Sequence, residues 1–492
     1  RKTLDQVGLK LHELPAEDPE TYEMIQKADT VGVFQIESRA QMSMLGRLKP
    51  KTFYDLVIEV AIVRPGPISS GMIHPYLRRR RGLEEPKYFH PKLKEILGRT
   101  LGVPLFQEQI MKIAVEMAGF SPGESDHLRR AIGAWRSDGS IQKATARLTQ
   151  GLREKGLPEH YIQGMLEHIK GFSEYGFPES HAASFALLVY ASSYLKCHYP
   201  AEFTMALINS QPMGFYAVHS LIDDATRHGV KVLPVDPNKS QWDCVLEDGS
   251  IRLGFRVVHG LAKKEALHAI AQQPYCSLPD FLERAPFRRE VLHRLAMGDA
   301  FTPFGLDQRH SLWQILSYQV RETGAQLDLF SNQFVDEIQK TIFQGLSQYE
   351  SIRFDYGAFN LSLHGHPMQA LRRLLNLPKM TTQEAKTKRL GTTVTVAGLI
   401  LVRQRPPTAK GMTFSTLEDE AGFLDIAIKP DVYEKCKEVF LNQCFILITG
   451  ELQKDQNSTS VLVKKMRPIW QSENGGASTD TSILNIEPVQ FF

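Results

Sequence analysis

Along residues 1–228 the apolar positions recur at three- and four-residue spacing, as in Glu108 to Ala118 and Ser140 to Lys155, which predicts a mainly helical region. Pro- and Gly-rich joints separate the helices: Arg64-Pro65-Gly66-Pro67, Ser121-Pro122-Gly123 and Gly176-Phe177-Pro178. The longest nearly uncharged apolar run, Ala182 to Leu195, is shorter than the roughly 20 residues that span a bilayer. It is read as a buried helix, and no membrane partner is expected.

Near Pro234 the pattern changes. Val230 to Val235, Trp242 to Leu246 and Ile251 to Phe255 read as short strands, with a turn at Glu247-Asp248-Gly249. Helices resume from Lys263, and residues 319–350 read as a polar loop and linker. From Thr392 the period becomes two. Val394, Val396, Gly398, Ile400 and Val402 share one face. Met412, Phe414 and Thr416 alternate with polar residues, as do Leu424, Ile426 and Ile428 after the turn 418–422. A helix from Asp431 to Phe440 and strands Cys444 to Leu452 and Val461 to Met466 follow. Five strands with a helix between the third and fourth is the order of an OB barrel. The fold class is therefore multidomain: a mainly α region, an α+β region and a C-terminal all-β barrel. The last 22 residues read as disordered apart from Val489-Gln490-Phe491-Phe492.

A length of 492 residues suggests three to four domains. The net charge is only +3, so any nucleic-acid binding must come from local concentrations of basic residues. Five scattered cysteines form no C-x-x-C pair, which points to neither a zinc site nor a disulfide framework, and to a reducing, cytoplasmic setting. The chain opens on Arg1-Lys2-Thr3 and reads as a piece of something longer.

Several segments could carry binding. The stretch Arg64 to Gly82 holds Arg64, Arg78, Arg79, Arg80 and Arg81 and no acid. Four adjacent arginines at a helix end point all round its axis, so several could reach phosphates; a solvated helix end is the alternative. Arg129 and Arg130, adjacent on a helix, suit a triphosphate because guanidinium groups offer paired N–H donors; a surface arginine pair is the alternative. Tyr175-Gly176-Phe177-Pro178-Glu179-Ser180-His181 presents an aromatic ring, a hydroxyl and an imidazole that could stack on and bond a nucleotide, or simply cap the next helix through Ser180. Val257 to Lys264 resembles a helix-hairpin-helix, with Gly260, Lys263 and Lys264 facing DNA phosphate and Ala262 where a second Gly is usual. Gln326-Leu327-Asp328-Leu329-Phe330, in a polar loop, has the amide, Leu and Leu-Phe pattern of bacterial sliding-clamp ligands, with Gln326, Leu327, Leu329 and Phe330 as contacts; packing of the loop onto its own core is the alternative. His364-Gly365-His366 before Pro367 reads as a turn, and no metal ligand is assigned. No Asp-x-Asp lies on an apolar strand, so the carboxylates of a two-metal nucleotidyl transferase are missing.

Taken in order, Val33-Phe34-Gln35-Ile36-Glu37-Ser38-Arg39, Arg64 to Met72, Phe106-Gln107-Glu108-Gln109-Ile110-Met111, Leu128 to Gly133, Tyr175-Gly176-Phe177 with Ser180 to Ala183, and His198-Tyr199-Pro200-Ala201-Glu202-Phe203 closely resemble the fingers region of bacterial C-family DNA polymerases, the alpha subunit of DNA polymerase III. Asn209 to Tyr216 and Asp236-Pro237-Asn238 to Cys244 are similar to the error-prone, damage-inducible branch. The resemblance divides the chain into a palm-to-fingers remnant (1–15), fingers (16–228), a helix-hairpin-helix and clamp-binding region (229–330), a linker with helices (331–390), an OB domain (391–470) and a tail (471–492). It implies that the palm carboxylates lie upstream of Arg1. It also implies a DNA-directed DNA polymerase as parent, using dNTPs and Mg²⁺ whose ligands this chain lacks, in the bacterial nucleoid. Arg129 and Arg130 would hold the triphosphate, with Tyr175 and His181 beside the nascent base pair. The arginine cluster, the hairpin, Arg403 and Phe414 would bind primer-template DNA. A sliding clamp and damage-response accessory proteins would be partners. The competing readings are a non-catalytic DNA- and clamp-binding module and, more remotely, a tRNA-binding OB protein.

Overall fold

The computed structural model describes residues 1–64, 73–133, 140–175, 177–213, 216–322, 344–406, 409, 411–455, 458–470 and 489–491. These form two compact units, one made almost wholly of residues 8–198, the other of residues 1–7 and the chain from 199 onward. The break between the units falls at 198/199, inside the 16–228 span expected for the fingers. The reason is local: Asn209 bonds the backbone of Cys244 through both its amide groups, each at 2.8 Å, and Arg256 donates to the carbonyls of Asn209 and Gln211. The segment after Tyr199 is thus fastened to the strands that follow it.

The first unit is helical. Asp18 accepts the amide of Thr21 and Pro19 occupies the first turn, which starts the helix Pro19–Gln26. The helix Phe53–Ile62 is apolar nearly all round, with Leu56, Val57, Ile58, Val60, Ala61 and Ile62 essentially inaccessible. A helix of that kind must be enclosed, and it packs against Glu179–His198, which presents the small residues Ala182 and Ala186 and then Val189. Each fully buried Leu or Ile contributes about 1.5–3 kcal/mol of transfer free energy. The run Ala182 to Leu195 is therefore a helix, but not a buried one throughout: Leu187 and Leu188 on its other face are 47% and 46% exposed. Among the described residues no helix is long and apolar enough to cross a membrane.

In the second unit the helices Pro200–Ile208 and Val218–Arg227 lead into a small sheet of β1 (Val232–Leu233), β2 (Val245–Glu247) and β3 (Ser250–Arg252), in the order β1-β3-β2. The helices Lys263–Ala271, Leu278–Arg284, Arg289–Met297 and Gln308–Glu322 follow. Of 319–350, expected as loop and linker, residues 319–322 end one helix and 348–350 begin another, Gln348–Phe359, with no regular structure at 344–347; residues 323–343 lie outside the described chain.

The C-terminal domain is a closed five-stranded barrel. Its strands are β4 (Thr393–Gln404), β5 (Thr413–Asp419), β6 (Gly422–Ile428), β7 (Phe445–Asp455) and β8 (Ser458–Pro468), with the helix Pro430–Asn442 between the third and fourth strands of the barrel. β4 pairs antiparallel with both β5 and β7, β5 pairs with β6, and β6 runs parallel to β8, which closes the ring through β7. This is OB topology. Val394, Val396, Ile400, Leu417, Leu424, Ile426, Ile448 and Val461 fill the interior. At Gly450 an added Cβ would lie 2.4 Å from the carbonyl of Leu462, so the approach of β7 to β8 requires glycine there. A register shift between Ile400 and Val402 breaks the alternation read from the sequence, and Val402 leaves the interior face. Val489–Phe491 (β9) adds in parallel to Val402, Arg403 and Gln404.

Candidate nucleic-acid interface

In the first unit Arg129 and Arg130 lie on the helix Pro122–Gly133 and share one carboxylate. Asp126 meets Arg129 at 2.9 Å and Arg130 at 2.6 Å. Hydrogen bonds from Arg129 and then Arg130 hold the Asp126 carboxyl below the usual range. Two guanidinium groups facing one acid leave net positive charge, and both stay accessible, at 42% and 70%. An arriving triphosphate could therefore bind them without unburying anything.

His181 stands in a run of rings. Arg64 lies 3.4 Å above the Phe177 ring, Phe177 meets His181 edge-on at 5.1 Å, His181 meets Phe185 at 4.3 Å, and Phe185 stacks on Phe34 at 5.3 Å. His181 is exposed and Phe34 is 38% exposed, so the run offers aromatic faces and one cation to a flat partner. Phe34 and Phe185 were not singled out from the sequence. The four-residue steps 177, 181 and 185 were the available signal, since they place three rings on one side of a helix and its entry turn. The side chain of Tyr175 lies outside the described residues.

The arginine cluster departs from expectation. Arg79 bonds Glu84 at 3.0 Å and the Leu101 carbonyl at 2.9 Å, and Arg80 meets the buried Asp55 at 2.6 Å. Arg81 donates to the Arg47 carbonyl, and Arg64 to that of Val60. Only Arg78, 63% exposed and 3.3 Å from Glu84, keeps most of its surface open. The window 64–82 holds no acid, but Glu84 and Asp55 fold onto it. Arg79 and Arg80 are thus structural ion-pair partners rather than a phosphate grip.

In the second unit, Gly260 turns the hairpin with φ +70°, and Lys263 and Lys264, both exposed, begin the next helix. Ala262 sits at φ −77°, a conformation open to any residue, so the missing second Gly costs nothing. The hairpin carbonyls are braced from behind: Arg294 donates to His259 at 2.6 Å and Arg288 to Gly260 at 2.7 Å. A Cβ on Gly260 would stand 2.7 Å from the Arg294 guanidinium. The result is a rigid turn with four cationic side chains round it, a form suited to backbone phosphate.

On the barrel, Phe414 is 38% exposed on β5. Arg403 is a correction: it is 6% exposed and donates to the carbonyls of Phe440 at 2.6 Å and Gln443 at 2.8 Å, capping the end of the helix Pro430–Asn442. The strand irregularity at Ile400/Val402 turns it inward. Arg405, exposed and 4.7 Å from the Tyr433 ring, is the nearby cation that does face solvent. Gln326, Leu327, Leu329 and Phe330 lie outside the described residues.

Comparison with known proteins matches this order of parts. Residues 1–156 fit the bacterial DNA polymerase III alpha subunit finger domain, 229–311 a helix-hairpin-helix motif, and 394–469 an OB-fold nucleic acid binding domain. The chain is 42% identical to an error-prone DNA polymerase of Methylococcus capsulatus over 96% of its own length and 48% of that protein's. It is 43% identical to error-prone DNA polymerase 2 of Agrobacterium fabrum (96% and 45%) and 46% identical to an error-prone DNA polymerase of Alkalilimnicola ehrlichii (90% and 43%). The chain thus spans a little under half the length of these relatives. With finger, hairpin and barrel in one order along one polypeptide, it belongs to the bacterial C-family, alpha-subunit-like DNA polymerases and corresponds to a segment of their error-prone members.

Proposed function

We propose that this chain supplies the nucleotide- and DNA-holding part of an error-prone DNA polymerase, acting beside a metal centre formed by other polypeptide. What carries the reading is the continuous similarity to error-prone polymerases over at least nine-tenths of the chain, through finger, hairpin and barrel in order. Arg129 and Arg130 would stabilise the triphosphate as charge shifts to the leaving pyrophosphate. The strip from Arg64 through His181 to Phe34 would meet the new base pair. The Gly260 hairpin, with Lys263 and Lys264, would hold duplex backbone, and Phe414 with Arg405 would meet unpaired template. Gln326 to Phe330 would recruit a sliding clamp. Mg²⁺ on carboxylates outside this chain would activate the primer hydroxyl.

The direct test is binding of primer-template DNA by the purified chain, followed by fluorescence anisotropy across a salt series. Affinity should fall linearly with salt on a log–log plot, and Lys263→Ala with Lys264→Ala should lower the slope by about 2. Binding that is absent at low salt, or a slope unchanged by the double substitution, contradicts the assignment of the hairpin.

A further inference from the structure

Away from the surfaces proposed to bind DNA, the second unit holds a group of side chains, buried except for the half-buried Asp223, to which the proposed function gives no role. His219 and Asp223 lie one turn apart on the same face of the helix Val218–Arg227. His366 precedes the helix Pro367–Leu374, and Glu418 projects from β5. One ligand atom each from Asp223, His366 and Glu418 lie within 4.8 Å of one another. His366 is 8% exposed, Glu418 is inaccessible, and His219 is 9% exposed.

The group is rich in acceptors and short of donors. Asp223 Oδ2 and His219 Nε2 are fully buried and bond nothing among the described residues. The other ring nitrogen of His219 is engaged by the Asn360 backbone, which leaves Nε2 as a bare lone pair. A carbonyl on one imidazole nitrogen and a free lone pair on the other is the arrangement that orients a metal-binding histidine. Arg227 stands 3.8 Å from Glu418, lies over the Phe423 ring and is 25% exposed. A divalent ion among these ligands would bring positive charge to a site that holds two carboxylates.

We propose that Asp223, His366 and Glu418, with His219 adjoining, form a divalent transition-metal site that pins the helix Val218–Arg227 to the outer face of the OB barrel. An oxygen and imidazole ligand set without sulfur suits Zn²⁺ or Mn²⁺. His366 accepts the Met368 amide through Nδ1 at 3.1 Å, so coordination through Nε2 gives up that helix cap. The cap contributes about 1 kcal/mol, little beside a metal–ligand bond. The role is structural, and it stands apart from the polymerase reading.

The test uses the whole chain, stripped of metal with a chelator that is then removed, and titrated with Zn²⁺ by calorimetry, with Mg²⁺ as control. One Zn²⁺ should bind per chain and raise the melting temperature. Asp223→Asn and His366→Gln should each weaken binding about 100-fold or more. Cys197→Ala should leave the event intact, since Glu20, Cys197 and His198 form a separate group that could compete for the ion. Should the buried variants fail to fold, Co²⁺ in the unaltered chain decides: weak visible bands without thiolate charge transfer fit this site. A thiolate band at one equivalent, no stoichiometric Zn²⁺, or affinity unchanged in both variants overturns the proposal.

Discussion

Arg129 and Arg130 share Asp126 at the surface, whereas Arg80 is fixed to Asp55 and Arg403 to two main-chain carbonyls. All four look alike in the sequence. What separates them is the company that folding brings, from positions 25 and 37 residues away, and no local spacing reports that. In the complete polymerase, Arg129→Ala should raise the KM for dNTP or lower kcat with DNA affinity retained; steady-state kinetics beside a DNA-binding assay checks this, and a loss confined to DNA binding places the residue on the duplex. Arg403→Met should instead lower the stability of the barrel by about 1–3 kcal/mol, because two buried carbonyls lose their donors. Chemical denaturation reads that loss, and single-stranded DNA affinity should not change beyond it. Arg405→Ala should show the reverse.

At the scale of elements the sequence was more legible. All five barrel strands and the intervening helix were legible, the first three strands through period-two alternation, because a closed barrel demands an apolar inner face on each strand. The places where the pattern misled are those where an element has one wet side or an irregular register. The helix Glu179–His198 exposes Leu187 and Leu188, and β4 shifts register at Val402. The short strands β2 and β3 were found through their turn, and there Glu247 bonds Arg252 at 2.8 Å and Lys239. Arg252 first, then Lys239, holds the Glu247 carboxyl down to about 2. A depressed carboxyl stabilises the fold above its ordinary value and loses that contribution as pH falls toward 2. Glu247→Gln should therefore flatten the acid limb of stability between roughly pH 4.5 and 2, followed through Trp242 fluorescence; an unchanged limb removes the pair from the account. For the segment Gln326 to Phe330, the substitutions Leu329→Ala and Phe330→Ala together should abolish binding to a bacterial sliding clamp in a calorimetric titration, and full retention of affinity dismisses the recruitment role.

For the molecule as a whole, the order of motifs carried more than any one of them. A pair of arginines, a hairpin with one glycine or an OB barrel is each common to many proteins; their succession along one chain is not. The buried group around His366 shows the opposite case. Its members are scattered over 200 positions, from His219 to Glu418, so the His364-Gly365-His366 stretch looked like a turn and nothing more. The central claim is that this chain grips nucleotide and DNA for a metal centre it does not itself contain. Primer extension with Mg²⁺ and dNTPs, run on the purified chain and on a complete polymerase that includes it, tests this most directly. The account predicts no synthesis by the chain alone and synthesis by the complete enzyme that fails when Arg129 and Arg130 are both replaced by Ala; robust extension by the isolated chain, or full activity of the doubly substituted enzyme, would contradict it.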